Sequence, residues 1–218
     1  MKVFQLPLNP FSMNCYIYFD ENSKEGIIID PGAFTEAEKN EIKKVIEDND
    51  IKIKYIVNTH GHLDHILGNK FAKDYFNVPI LMDKEDEFLL ENSQDQARFF
   101  GLNFPAPPPV DEYITPDTII ELGNAKLKFI KTPGHSPGSV CIIDKENKNV
   151  FSGDVVFKNS VGRTDLQGGD IRVLLSSIRN ILFKSVGDDY TLHPGHMEIT
   201  TVKDEKKNNP FLQKEFRY

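Results

Sequence analysis

The segment Thr59-His60-Gly61-His62-Leu63-Asp64-His65 places three imidazoles and a carboxylate within seven residues. A fold that crowds these groups together without a cation pays heavily, because buried polar groups need partners. The segment therefore demands a scaffold that brings further ligands to the same point. Histidine is the commonest metal ligand, its neutral imidazole offering a lone pair. The chain has six histidines in all, and two more stand in loop-like contexts, Pro133-Gly134-His135 and Pro194-Gly195-His196.

Around this segment, short apolar and β-branched runs read as strands. They are Cys15 to Phe19, Gly26 to Ile29, Tyr55 to Val57 and Val78 to Met82, then Thr118 to Leu122, Lys126 to Ile130, Ser139 to Ile143, Val150 to Phe151 and Tyr190 to Leu192. Helical patterns separate some of them. Thr35 and Glu38 form a capping box that opens a helix through Asp48. Ile66 to Phe76 reads as a second helix and Lys84 to Phe100 as a third. Asp170 caps a fourth, in which Ile171, Leu174, Leu175, Ile178, Ile181 and Leu182 form one apolar stripe. Two groups of strands with helices outside predict an α+β fold, a four-layer αβ/βα sandwich over a single domain, 1–218. The proline-rich stretch Phe104 to Pro109 reads as a rigid loop within it.

In an extended or turning backbone, residues two apart project to the same side. His60 and His62 are thus placed to reach one ion. Asp64 and His65 face other directions and are placed to serve a second. His135, Asp154 and His196 each follow a strand, and loops on a rigid scaffold are where sites form. His193 reads as structural, and Asp30 as a hydrogen-bond acceptor that organises its loop. Cys15 and Cys141 read as small buried side chains in strands. The turn Pro10–Asn14 and the loop Phe104–Val110 are candidates for the border of a substrate cleft.

The net charge is −7, with no long basic run, which disfavours nucleic-acid binding by bulk electrostatics. The N-terminal stretch lacks the apolar core of a signal peptide, and no segment has the length of a membrane span. A cytoplasmic protein with a small-molecule substrate is the expectation. Oligomeric state is not readable from the chain.

The series His60-x-His62-x-Asp64-His65, His135, Asp154, His196 resembles the metallo-β-lactamase-fold hydrolases over nearly the whole chain. The resemblance implies one metal on His60, His62 and His135, a second on Asp64, His65 and His196, and Asp154 bridging them. The ions are two divalent metals, with zinc expected and iron or manganese also suited to such ligands. The Asp64–His65 pair argues against the true β-lactamases, and His62 against the flavodiiron oxidoreductases. Asn14-Cys15-Tyr16, Ile29-Asp30-Pro31-Gly32, Gly162-Arg163-Thr164-Asp165 and Asn209-Pro210-Phe211-Leu212 resemble short, single-domain type II glyoxalases, the hydroxyacylglutathione hydrolases. Two departures stand out: the larger enzymes carry a C-terminal helical domain that is absent here, and Asp165 replaces their aromatic residue.

The activity so implied is hydrolysis of a thioester such as S-lactoylglutathione by a metal-bridging hydroxide. Asp64 would be the catalytic residue, orienting the nucleophile as well as binding metal. Arg163 is a candidate for binding a substrate carboxylate. Other readings remain open on the same ligands: a mononuclear iron glutathione persulfide dioxygenase, a lactonase, or a non-enzymatic metal-binding protein with coordinatively closed sites.

Overall fold

The computed structural model describes residues 1–213. The first sheet contains β1 (Lys2–Leu8), β2 (Met13–Phe19), β3 (Glu25–Ile29), β4 (Lys52–Val57), β5 (Ile80–Met82) and β6 (Glu112–Tyr113), in that spatial order. Strands β1 to β3 are antiparallel, and β3 to β6 run parallel. The next strands are β7 (Ile119–Leu122), β8 (Ala125–Lys131), β9 (Val140–Asp144), β10 (Asn149–Gly153), β11 (Val156–Phe157), β12 (Ser160–Val161), β13 (Thr191–Pro194) and β14 (Thr200–Thr201). Six of these form the second sheet, in the order β14-β13-β10-β9-β8-β7, while β11 and β12 pair as a separate ribbon. The helices are α1 (Glu36–Asp48), α2 (Leu63–Ile66), α3 (Asn69–Phe76), α4 (Glu87–Glu91), α5 (Ser93–Phe99), α6 (Ile171–Ser176), α7 (Phe183–Ser185) and α8 (Val202–Asn208).

The period-two alternation of the strands creates the layers. In β2, Tyr16 and Tyr18 point between the sheets, against Phe129, Ile142 and Phe151 of the second sheet. Cys15, Ile17 and Phe19 point the other way, against Ile42 and Ile46 of α1. On the far side, Cys141, Ile143, Val150 and Leu192 pack on Leu174, Leu175 and Ile178. The result is the expected four-layer αβ/βα sandwich. Both cysteines are free and buried, each in a different layer interface.

Local signals held where they were chemical. Thr35 accepts from Glu38 N, completing the predicted capping box, and the Glu38 carboxylate also accepts from Asn9 N and Phe34 N. Asp170 caps α6 by accepting from Arg172 N and Val173 N. Helix lengths needed correction. The expected helix Ile66 to Phe76 is two pieces: α2 starts earlier, at Leu63, and the chain breaks at Leu67–Gly68, where a Cβ on Gly68 would collide with the Pro31 carbonyl. Lys84 to Phe100 is a short 3₁₀ turn followed by α4 and α5, divided at Asn92. After α6 comes a π-helical turn, Ser177–Leu182. Its extra residue slips the apolar stripe, so Leu174, Leu175, Ile178 and Leu182 are buried while Ile181 is exposed. Strand β1 lacked a recognised signal in the sequence, and Phe104 anchors its proline-rich loop against Leu63, Leu67 and Ala97.

Candidate metal centre

The seven candidate ligands converge at one edge of the sandwich, beyond the ends of β4, β8, β10 and β13. His60, His62, Asp64 and His65 follow β4. His135 follows β8, Asp154 follows β10, and His196 follows β13. Donor atoms of His60, His62 and His135 gather in one group, and those of Asp64, His65 and His196 in another. His62 Nδ1 lies 2.8 Å from His135 Nε2, which lies 3.1 Å from His60 Nε2. His196 Nε2 is 3.1 Å from Asp64 Oδ2. Asp154 stands between the groups, with Oδ1 3.4 Å from His65 Nε2 and Oδ2 3.5 Å from both His135 Nε2 and His196 Nε2.

Hydrogen bonds on the outer side of the rings set which nitrogen faces inward. His135 Nδ1 sits 2.7 Å from the Arg163 carbonyl, which only accepts, so this nitrogen carries the proton and Nε2 the lone pair. Thr59 Oγ1 donates to Asp30 Oδ2 at 2.7 Å and so accepts from His60 Nδ1 at 3.2 Å. His60 Nε2 is then also a bare lone pair. Two lone pairs 3.1 Å apart repel each other unless a cation lies between them. His65 is braced likewise by Asp30 Oδ2 at 2.9 Å, and its buried Nε2 has no hydrogen-bond partner among the described residues, nor does Asp154 Oδ1. These are the features of ligands oriented by outer-shell partners for a metal.

The electrostatics agree. Burial, reinforced by neighbouring imidazoles, holds His60 well below its usual range, and His62 is held at about 3 by burial and His135. Both are neutral, as ligands must be. Burial works to raise Asp154, but His65, His135 and His196 overcome it and keep the carboxyl well below the usual range. Burial works to lower His65, but the carboxylates of Asp30, Asp64 and Asp154 overcome it and hold it well above. Three carboxylates around one imidazole mark a place that calls for positive charge. The residues present fit divalent ions.

Backbone contacts lock the ligand loops together. Gly195 N donates to Gly153 O at 2.8 Å, tying the His196 loop to the Asp154 loop. Asn14 N donates to Gly195 O, and Asn14 Nδ2 to the carbonyls of Pro194 and Met197, so β2 holds the same loop. A Cβ on Gly195 would collide with Asp154 Oδ1 and His65 Cε1, so glycine is needed there for close approach. Asp86 was not singled out in the sequence. Its buried carboxylate accepts from Gly61 N at 2.9 Å, Gly138 N at 2.6 Å and Ser136 Oγ at 2.6 Å, joining the loops of His60, His62 and His135. No signal in the chain pointed to it, since its partners lie far off in sequence. Asp30 organises its loop as expected, accepting from Thr59 N as well, and it does more by bracing His65.

A cavity of about 670 Å³ opens onto the ligands, walled by Phe11, Leu63, Phe157, Val161, Leu166 and Met197 among others. The turn Pro10–Asn14 contributes Phe11 and Ser12 to it, whereas Phe104–Val110 lies elsewhere. Arg163 lines the cavity too, but its guanidinium is engaged: Nε and Nη2 donate to Asp165 Oδ1 and Oδ2, each at 2.7 Å. His193 lies apart from the ligands, stacked on Phe151 and bonded through Nε2 to Asn149 Oδ1 at 2.8 Å.

Similar proteins are known. The chain is 38% identical to the hydroxyacylglutathione hydrolase GloC of Haemophilus influenzae, over 97% of this chain and 98% of that protein. A crystal structure of the BLEG-1 B3 metallo-β-lactamase superposes with a TM-score of 0.88 at 32% identity, covering 97% of this chain and 99% of that one. That likeness runs against the separation from the β-lactamases read from the Asp64–His65 pair. A structure of TTHA1623 in a di-iron-bound form superposes with a TM-score of 0.84 at 33% identity, covering 96% of this chain and all of that one (100%). A family model for the metallo-β-lactamase superfamily matches residues 8–196, a span that holds every candidate ligand. By sequence, by fold and by the edge on which its histidines gather, the chain belongs to the metallo-β-lactamase superfamily.

Proposed function

We propose that this chain is a dinuclear metallohydrolase that cleaves a thioester to a carboxylic acid and a free thiol. The observation that carries the reading is the pair of three-ligand groups flanking Asp154, both opening into the same cavity. His60, His62 and His135 would hold one ion and Asp64, His65 and His196 the other, with Asp154 shared. Two divalent ions there would lower the pKa of a coordinated water to about 7 and polarise a carbonyl oxygen. Zinc suits this ligand set, and iron is supported by the relative known in a di-iron-bound form.

The chain's own residues supply the rest. Asp64 lines the cavity and would also accept a hydrogen bond from the attacking water and aim it. The apolar walls thin the water around the reacting carbonyl. The leaving thiol has a pKa of about 8.5, so its thiolate departs without a general acid, and the cavity needs none beyond the ligands. The likeness to a hydroxyacylglutathione hydrolase supports a thioester of that general kind. The persulfide dioxygenase reading uses the same residues with a single iron, and metal analysis with oxygen consumption on a persulfide separates the two. A cytoplasmic location and action as one domain fit the same reading.

The test is thiol release from S-D-lactoylglutathione and from a neutral thioester by metal-loaded protein, with and without chelator. Chelator-sensitive release supports the proposal. Release of neither thiol, with turnover of a cephalosporin, a lactone or a persulfide instead, would replace it. Asp64→Asn is expected to cut thioester turnover by orders of magnitude while circular dichroism stays that of the folded protein. Near-normal turnover in that variant would remove Asp64 from its role.

A further inference from the structure

Resting on the thioester reading, we infer that Asp165 is a specificity-determining residue: it occupies the guanidinium of Arg163, so the cavity selects thioesters without carboxylates, carried on a neutral thiol and bearing an apolar acyl group.

Among the described residues that line the cavity, Arg163 is the one permanently cationic side chain. A glutathione thioester carries two carboxylates, and a site built for it needs a cation free to receive one. Here the planar fork of Arg163 is used on both prongs by Asp165, two residues along the same chain. This is the bidentate geometry in which a guanidinium holds a carboxylate best. The pairing also draws the Asp165 carboxyl down to about 2, so it stays ionised throughout the working pH range.

Such an exposed pair is weak, and its strength, about two- to fivefold in binding, is what a substrate carboxylate loses in displacing it. A substrate carboxylate gains only by displacing one that is already tethered. A substrate carboxylate therefore gains less from Arg163 than it would from a free guanidinium.

The rest of the lining points the same way. Phe11, Phe157, Val161, Leu166 and Met197 offer apolar surface, and the remaining ionised groups, Asp64 and Asp154, are anionic. Asp64 and Asp154 would be taken up by the metals, so away from the centre the lining offers apolar surface and an arginine already paired. Arg163 still serves the centre through its backbone, since its carbonyl fixes the tautomer of His135. That service does not depend on the side chain's charge.

The test compares S-hexanoyl-N-acetylcysteamine, a neutral thioester, with S-D-lactoylglutathione on metal-loaded wild type and on Asp165→Asn. Asp165 is exposed, and the substitution leaves its surroundings without a buried cavity. Wild type is expected to favour the neutral thioester in kcat/KM. In Asp165→Asn the ratio should move toward the glutathione thioester by about two- to fivefold, the size of one exposed ion pair, chiefly through KM. The move should vanish in the Asp165→Asn/Arg163→Gln double variant. A wild type that prefers the glutathione thioester, or a ratio unchanged by Asp165→Asn, overturns the inference while thioester hydrolysis stands. Cleavage of neither compound overturns the thioester reading and this inference together.

Discussion

At the scale of single residues, the centre is governed by hydrogen bonds one step away from the ligands. Asp30 spends one carboxylate oxygen on Thr59 N and the other on Thr59 Oγ1 and His65 Nδ1. Asp30→Asn puts an amide NH₂ against at least one of these donors and loosens both His60 and His65. Metal affinity should fall by about 10–100-fold, measured by competition with a chromophoric chelator. An unchanged affinity would mean that the rings are held by packing alone. The convergence of the candidate ligands was legible in the sequence because metals accept few residue types and these cluster. The role of Asp30 was half legible: its place after a strand suggested loop organisation, but nothing local showed that His65, 35 residues on, would turn a nitrogen toward it. Arg163 was read through its charge, and its nearest tie to the centre is its carbonyl.

Elements are joined by buried polar groups that sequence periodicity does not reveal. Asp86 closes the 3₁₀ turn ahead of α4 and receives two backbone N–H groups from ligand loops. Burial raises its pKa above the usual carboxylate value, and the three donors work against that rise. Asp86→Ala would strand two buried N–H donors, at about 1–3 kcal/mol each, for a loss of about 2–6 kcal/mol by denaturant titration. Asp86→Asn keeps one acceptor and should lose less. On the other sheet, His193 ties β13 to β10 through Asn149. Burial holds its imidazole at about 4, against about 6.5 in an unfolded chain. Between those values the unfolded chain binds the extra proton, so stability carried by the neutral ring is complete above about 6.5 and is lost as pH falls toward 4. The stability advantage of wild type over His193→Gln should therefore shrink on going from about pH 7 to about pH 4.5. A gap that stays constant would show that His193 does not titrate in this way. Helix interruptions were invisible for a related reason: Gly68 and the π turn answer to tertiary neighbours, whereas caps such as Thr35 and Asp170 answer to their own next few residues.

Over the whole molecule, the centre is where the two sheets are fastened to each other. One group of ligands is drawn from β4 and β8 and the other from β4 and β13, so each spans both sheets. Ions that bind only the folded chain stabilise it by mass action. At a free-ion concentration a hundred times Kd the gain is about 2.7 kcal/mol per site, and chelation should lower the melting temperature accordingly. A melting temperature indifferent to chelator would deny the ions that fastening role. The layered architecture itself was readable from alternation along the strands, because each sheet had to bury both faces. Its edges were not, since β1, β6 and β14 are set by the partners they pair with and not by any strong pattern of their own.

The clamp between Asn14 and the His196 loop joins the two ends of the chain. In order of synthesis, Asn14 comes long before the loop it holds. A nascent chain that has emerged through His135 already has the three nitrogens of the first group, while the second group and the hold of Asn14 on Gly195 wait for β13 and the loop after it. On the dinuclear reading, the second site would be completed only when His196 is in place, so a chain truncated before His196 would keep the nitrogens of the first group and lack the second.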